Sequence, residues 1–161
     1  MGTVLLAAID SSPQHRLVLA KAAEMTACMG AELHVVSVND VRRHREFAFA
    51  APNAEMIAAM NIEVRALLEE ARQTLRKQDI ACHIHAPYGV TAEQIALLAK
   101  HVRADIIIIG HRHLSWLGRL VEDSVGSDLL AQAPCNVLIV VEPSVPAPDS
   151  DDVVEKISRP S

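Results

Sequence analysis

Short aliphatic runs alternate along this chain with longer segments of helical period, and that alternation restricts the fold more than any other feature. "TVLLAAI", Thr3 to Ile9, is too short for a good helix and long enough for a buried strand. It stops at Asp10, Ser11, Ser12 and Pro13, a helix-starting cluster whose proline suits a first turn. Val18, Ala22, Met25 and Met29 then recur at helical spacing, which predicts an amphipathic helix ended by Gly30. A second strand is expected at "ELHVVSV", Glu32 to Val38, and a polar connection runs from Asn39 to about Asn53, as lid or linker. The stripe Met56, Met60, Val64, Leu67, Leu68, Ala71 and Leu75 marks a long second helix. "ACHIHA" reads as a third strand and "YGVTAEQIALLAKHV" as a turn and third helix, with Thr91 and Gln94 spaced as a capping box. "ADIIIIG" is the fourth strand, Ser124 to Ala133 a short fourth helix closed by Pro134, and "NVLIVV" the fifth strand.

Strands alternating with helices indicate βαβ units, whose right-handed crossovers produce a parallel sheet covered on both faces. The expected fold is therefore a doubly wound α/β domain with a five-stranded parallel sheet. A chain of 161 residues fits one domain, and only four aromatic residues (Phe47, Phe49, Tyr88 and Trp116) leave the core to aliphatic side chains, as in parallel sheets. The domain is expected over residues 1–141. The tail, 142–161, carries Pro143, Pro146 and Pro148 and five acids against two bases, and is expected to pack poorly.

The net charge is −5 with no basic block, so nucleic acid and acidic membranes are not expected partners. No run of about 18 apolar residues occurs, and the start of the chain has Asp10 and no basic lead, so it reads as a strand rather than a signal peptide. Cys28, Cys82 and Cys135 are odd in number and widely spaced, and read as small buried hydrophobes in a reducing cytoplasm.

Ligands of open doubly wound sheets collect beyond the carboxyl ends of the strands. Three segments reach such a place here: Asp10, Val38 to Asp40, and Gly110 onward. Asp10 can accept hydrogen bonds from a ribose or an amine, but capping the helix that starts near Pro13 accounts for it at least as well. "GHRHLSW" can be an anion-binding loop, with His111, Arg112 and His113 around a phosphate, or an ordinary solvated loop. No Cys or acid stands at convincing ligand spacing beside the histidines, so no metal site is expected. His83 and His85 share one side of a strand, which an exposed sheet edge explains better than catalysis. No nucleophile elbow, Walker pattern or dinucleotide fingerprint occurs, and Ser115, Ser124 and Ser127 lack evident partners. The residues alone thus point to an α/β domain with an anion site.

Taken in order and spacing, "AAID" with the following Ser11, Ser12 and Pro13, then "AELHVVSV", "YGVTAEQI", "ADIIIIGHRH" and "SVGSDLLAQAPCNVLIV", resemble the universal stress protein family, from about Thr3 to Val141. The resemblance implies a Rossmann-like sheet ordered 3-2-1-4-5, of the adenine nucleotide alpha-hydrolase-like kind. It also implies a homodimer joined through the last strand, Val137, Leu138, Ile139, Val140 and Val141. Physics supports that dimer separately, because an apolar strand left at a sheet edge is a hazard that a two-fold pairing removes.

Family members that bind ATP carry a glycine, two residues, a second glycine, nine residues, and a third glycine followed by Ser or Thr. Here the first glycine is Gly110, the second falls on His113, the third on Asp123, and the serine is Ser124. Asp10 matches the family's acid near the adenosine, and Val38 a residue whose backbone meets the adenine. The nucleotide-binding candidates so implied are Asp10, Val38, Gly110, His111, Arg112, His113, Ser124 and Val125. Asp123 opposes phosphate, since two unit charges 4 Å apart repel by about 4 kcal/mol at an effective dielectric near 20; His111, Arg112, His113 and Arg119 offset part of this. The resemblance therefore implies a cytoplasmic, homodimeric stress-response factor without enzymatic turnover, binding ATP weakly or not at all. The alternative is a sensor that retains the pocket for ATP, with or without Mg²⁺, or for AMP. A slow ATPase ranks last, and no protein partner is named by the sequence.

Overall fold

A computed structural model describes residues 2–40, 53–110 and 126–143 of the chain. Its elements are β1 (Val4–Ala8), α1 (His15–Met29), β2 (Glu32–Val36), α2 (Ala54–Arg76) and β3 (His83–His85), followed by α3 (Thr91–Val102), β4 (Ile106–Gly110), α4 (Gly126–Gln132) and β5 (Asn136–Val140). All strand pairings are parallel, and the strands stand in the order β3-β2-β1-β4-β5. The chain therefore winds outward from β1 in one direction, returns, and winds outward in the other. The expected doubly wound topology is what the molecule has.

Burial on both faces follows from the unbroken aliphatic runs. Leu5 and Ala7 of β1, Leu33 and Val35 of β2 and Ile108 of β4 pack in one cluster with residues of α1 and α2. Leu6, Ala8, Val36, Ile107 and Ile109 point the other way and pack with residues of α3 and α4. α3 meets the sheet largely through alanines, Ala92, Ala96 and Ala99, and α1 partly so through Ala22 and Ala23, whereas α2 buries Leu68 and Leu75. Small side chains on the helix leave room for the branched ones on the sheet. Among the described residues, no helix is long and apolar enough to cross a membrane.

Helix ends show why the segments stop where they do. Gly30 takes φ 60°, a left-handed conformation that glycine reaches without strain, and its N–H donates to the carbonyl of Thr26. Asn53 caps α2, its side chain accepting from the N–H of Met56 at 2.9 Å.

Several local expectations need correction. The stripe of α1 is Val18, Leu19, Ala22 and Ala23; Met29 is 46% exposed, because it sits in the last turn, beside the cap where the chain turns off toward β2. Cys28 is exposed rather than buried, lying on the far side of α1 from Ala22 and Ala23, while Cys82 and Cys135 are half-buried. Thr91 is the first residue of α3 and not its cap. The N-cap is Val90, which has no side-chain bond, and the expected box with Gln94 does not form because Thr91 bonds elsewhere. The strands are one to three residues shorter than the runs expected for them, β3 most of all. The connection over residues 41–52, the loop with His111, Arg112, His113, Asp123, Ser124 and Val125, and the tail beyond Pro143 lie outside the described residues.

Candidate functional site

The carboxyl ends of β1 and β2 leave the sheet side by side. Ile9 still pairs, its N–H donating to the Val36 carbonyl at 2.9 Å, and from Asp10 onward the two chains diverge. A cleft of about 260 Å³ opens at this divergence. The strand ends contribute Asp10, Ser37, Val38, Asn39 and Asp40, and α2 contributes a wall of Met60, Glu63, Val64 and Leu67. Its composition is mixed: a hydrophobic wall on the helix side and a row of polar groups on the strand side.

Each strand-side residue is held by a traceable interaction. The Asp10 carboxylate accepts from the N–H of Ser12 at 2.9 Å, closing the turn that feeds α1. It does not cap α1 itself, whose N-cap is Gln14. The Ser37 N–H donates to the His85 carbonyl, the Asn39 N–H to the Pro87 carbonyl, and the Gly89 N–H to the Asn39 carbonyl. Pairing between the second and third strand segments thus continues beyond the regular strands and fixes the cleft floor. The Val38 carbonyl accepts from the Asp40 N–H at 3.1 Å.

Asn39 and Asp40 fall in a segment expected at the rim, but their partners carry no local sequence signal. Asp40 is almost fully buried, and one carboxylate oxygen accepts from both the N–H and the hydroxyl of Thr91, each at 3.0 Å. A negative charge is therefore set on the first turn of α3, where the helix dipole favours it. Asn39 is 1% exposed and donates from its side-chain nitrogen to Asn61 at 3.1 Å, while its side-chain oxygen, equally buried, has no partner among the described residues. A buried acceptor without a partner is costly, and this one belongs to a residue that lines the cleft.

Of the residues expected at the site, Asp10 and Val38 line the cleft together. Gly110 ends β4 at the same rim and does not line it. A Cβ on Gly110 would stand 3.0 Å from the terminal oxygen of the Gln14 side chain and 3.4 Å from Val18, so a larger residue there would need the Gln14 side chain to shift slightly. His111, Arg112, His113, Ser124 and Val125 are outside the described residues. Val137, Leu138, Ile139 and Val140 are half-buried on β5, an edge strand whose only partner among the described residues is β4, and Val141 follows it at 56% exposure.

At the opposite edge stands a polar group the sequence did not announce. His34 of β2 is buried, and its ring lies near-parallel to those of His83 and His85, with centroids 4.9 and 5.1 Å away. Its Nδ1 lies 2.9 Å from Nε2 of His85, and its Nε2 lies 3.0 Å from a carboxylate oxygen of Glu32. Burial pushes the His34 imidazole below its ordinary value and the nearby His83 adds to this, against the raising effect of the Glu32 carboxylate. Burial also lowers His85, reinforced by His34, His83 and His101.

Comparison with known proteins gives a consistent picture. Residues 1–141 match the family model described as the universal stress protein family. The universal stress protein A homolog 1 of Coxiella burnetii is 31% identical over 145 residues, 84% of this chain and 94% of that protein. A structure of a protein from the universal stress protein family of Burkholderia pseudomallei has a TM-score of 0.66 at 25% identity, covering 86% of this chain and 95% of that one. The universal stress protein from Archaeoglobus fulgidus in complex with dAMP has a TM-score of 0.61 at 23% identity, over 87% and 98% of the two chains.

Two outcomes follow from this geometry. Asp40→Ala strips the buried start of α3 of its acceptor and is expected to lower stability by about 1–3 kcal/mol in urea unfolding; an unchanged midpoint would remove Asp40 from that role. For His34 and His85, lowered in the folded state, the unfolded chain takes up protons first as pH falls. Their contribution is therefore intact above the ordinary imidazole value of 6.5 and declines as pH drops through it. Thermal midpoints recorded in chelator from pH 7.5 down to pH 5.5 should fall, and His34→Gln should flatten that slope. Equal slopes would refute the assignment.

Proposed function

Because the chain belongs to the universal stress protein family, we propose that it is a cytoplasmic, homodimeric stress-response factor without enzymatic turnover, whose cleft takes the nucleoside end of an adenine nucleotide. A monophosphate is the preferred ligand class and ATP binds weakly. The observation that carries this reading is the cleft at the strand ends, where the Asp10 carboxylate and Val38 share one lining with Met60, Val64 and Leu67 of α2. Ribose hydroxyls and an adenine amino group are donors, and the aliphatic face of α2 suits a flat base. The dAMP held by the Archaeoglobus fulgidus protein is of this ligand class.

Size and charge favour the smaller nucleotide. A cleft of about 260 Å³ lies at the low end for small-molecule sites, and three carboxylates, Asp10, Asp40 and Glu63, line it. Those charges oppose a triphosphate more than a monophosphate. Asp123, at the third glycine position of the family's phosphate motif, acts in the same direction.

Calorimetry on the full chain tests this. AMP should bind in the micromolar range and ATP with Mg²⁺ more weakly, and Asp10→Ala should reduce AMP affinity by about 10–100-fold with unchanged circular dichroism. ATP bound as tightly as AMP would move the reading to an ATP-responsive sensor, and no adenylate binding at all would end it. Phosphate release from ATP above background, abolished in Asp10→Ala, would overturn the non-enzymatic part.

The dimer rests on β5. Its branched side chains are half-buried on both faces, and among the described residues it pairs on one side only, which leaves an apolar edge for a second copy to cover. Light scattering at micromolar concentration should give twice the chain mass of 17.5 kDa. Ile139→Lys should shift the mass toward one chain; a monomeric parent protein would exclude the β5 dimer.

A further inference from the structure

The histidine group at the β2–β3 edge has a geometry of its own. Glu32 and His34 are two apart on β2, so both side chains leave the same face of the sheet, and β3 sets His83 opposite His34 in register. His34 is anchored, with a side chain only 9% exposed, whereas the side chains of Glu32 and His83 are 55% and 64% exposed. Nε2 of His34 is 3.0 Å and Nε2 of His83 is 3.4 Å from one Glu32 oxygen, and one ligand atom from each residue falls within 4.8 Å of the others. We propose that Glu32, His34 and His83 form a binding site for a borderline divalent transition-metal ion such as Zn²⁺, with His85 as the outer-shell partner that orients His34.

Two nitrogens and one oxygen are a donor set that Zn²⁺ accepts with a water in the fourth position. Ca²⁺ and Mg²⁺, which take oxygen ligands, do not fit it. Tetrahedral bonds of about 2.0–2.1 Å hold ligand atoms about 3.3 Å apart. The Glu32–His34 pair therefore opens slightly from 3.0 Å, the Glu32–His83 pair at 3.4 Å already fits, and the two histidine nitrogens, within 4.8 Å, close by at most about 1.5 Å. The exposed His83 ring can supply that movement. Without an ion the rings are satisfied as a relay, His85 donating from Nε2 to Nδ1 of His34, which donates from Nε2 to Glu32. With the ion, Nε2 of His34 is the ligand. By exchange with water His34 then carries its proton on Nδ1 and donates to Nε2 of His85, whose own proton moves to Nδ1. Each imidazole stays neutral throughout. A metal-bound histidine whose second nitrogen donates to a neighbour is the usual outer-shell arrangement.

The ion would tie β3, only three residues long, to β2. This site is separate from the nucleotide cleft and does not depend on it. The test uses the full chain stripped with EDTA and titrated with Zn²⁺ in a calorimeter. One ion per chain should bind at a micromolar or lower Kd. His83→Ala and Glu32→Gln, both at exposed positions where the fold tolerates change, should each weaken binding at least about tenfold, and His15→Ala should leave it unchanged. Zn²⁺ should also raise the thermal midpoint of the parent chain and not that of His83→Ala. Replacing Zn²⁺ with Co²⁺ should give ligand-field absorption without a thiolate charge-transfer band. Absence of binding, retained affinity in either variant, or a thiolate band placing the ion on a cysteine would each overturn the proposal.

Discussion

The double pairing of β1, to β2 on one side and β4 on the other, is the constraint on which the rest of the molecule depends. Leu5 to Ala8 are buried on both faces, so hydrophobicity alone does not distinguish the correct register from one shifted by a residue. Polar contacts at the strand ends make that distinction. The Val4 N–H donates to the Asp105 carboxylate and the Asp105 N–H to the Val4 carbonyl, both at 2.8 Å, while the Glu32 N–H donates to the Thr3 carbonyl at 2.8 Å. At the far end the Ile9 N–H donates to Val36. These pins fix which residues emerge from the sheet at Asp10 and Val38, and with them the content of the cleft.

At the emergent end, the same economy of hydrogen bonds explains why the cleft is rich in acceptors. Asp40 is committed to α3 and holds the strand end against the helix that packs over it. Asn39 is held by its backbone on both sides and by its side-chain nitrogen at Asn61.

The fold was legible in the sequence because it depends on periodicity, which is local. The aliphatic runs and Gly30 announce their own roles within a few residues. Asp10 and Val38 were legible for a related reason: each follows directly on a strand, and topology brings strand ends together. Asp40 was not, because its partner Thr91 stands 51 residues away and nothing near either residue specifies the other. Thr91 even carried a competing local signal, the box with Gln94, which the buried carboxylate overrode. His34 was hidden inside an apolar run, and only the register with β3 shows that His83 stands opposite it.

The two edges of the sheet meet one problem in opposite ways. Any edge strand presents unpaired backbone groups and invites indiscriminate pairing. At β3 the strand is three residues long and carries imidazoles and a neighbouring carboxylate on one face, a surface on which an approaching strand would have to desolvate several polar rings. At β5 the strand is longer and its side chains are aliphatic on both faces. Self-pairing there adds apolar burial to the new backbone bonds, and at β3 it would work against polar desolvation. Whatever joins this chain to a copy of itself is therefore expected at β5, which leaves the β3 edge open to small ligands instead.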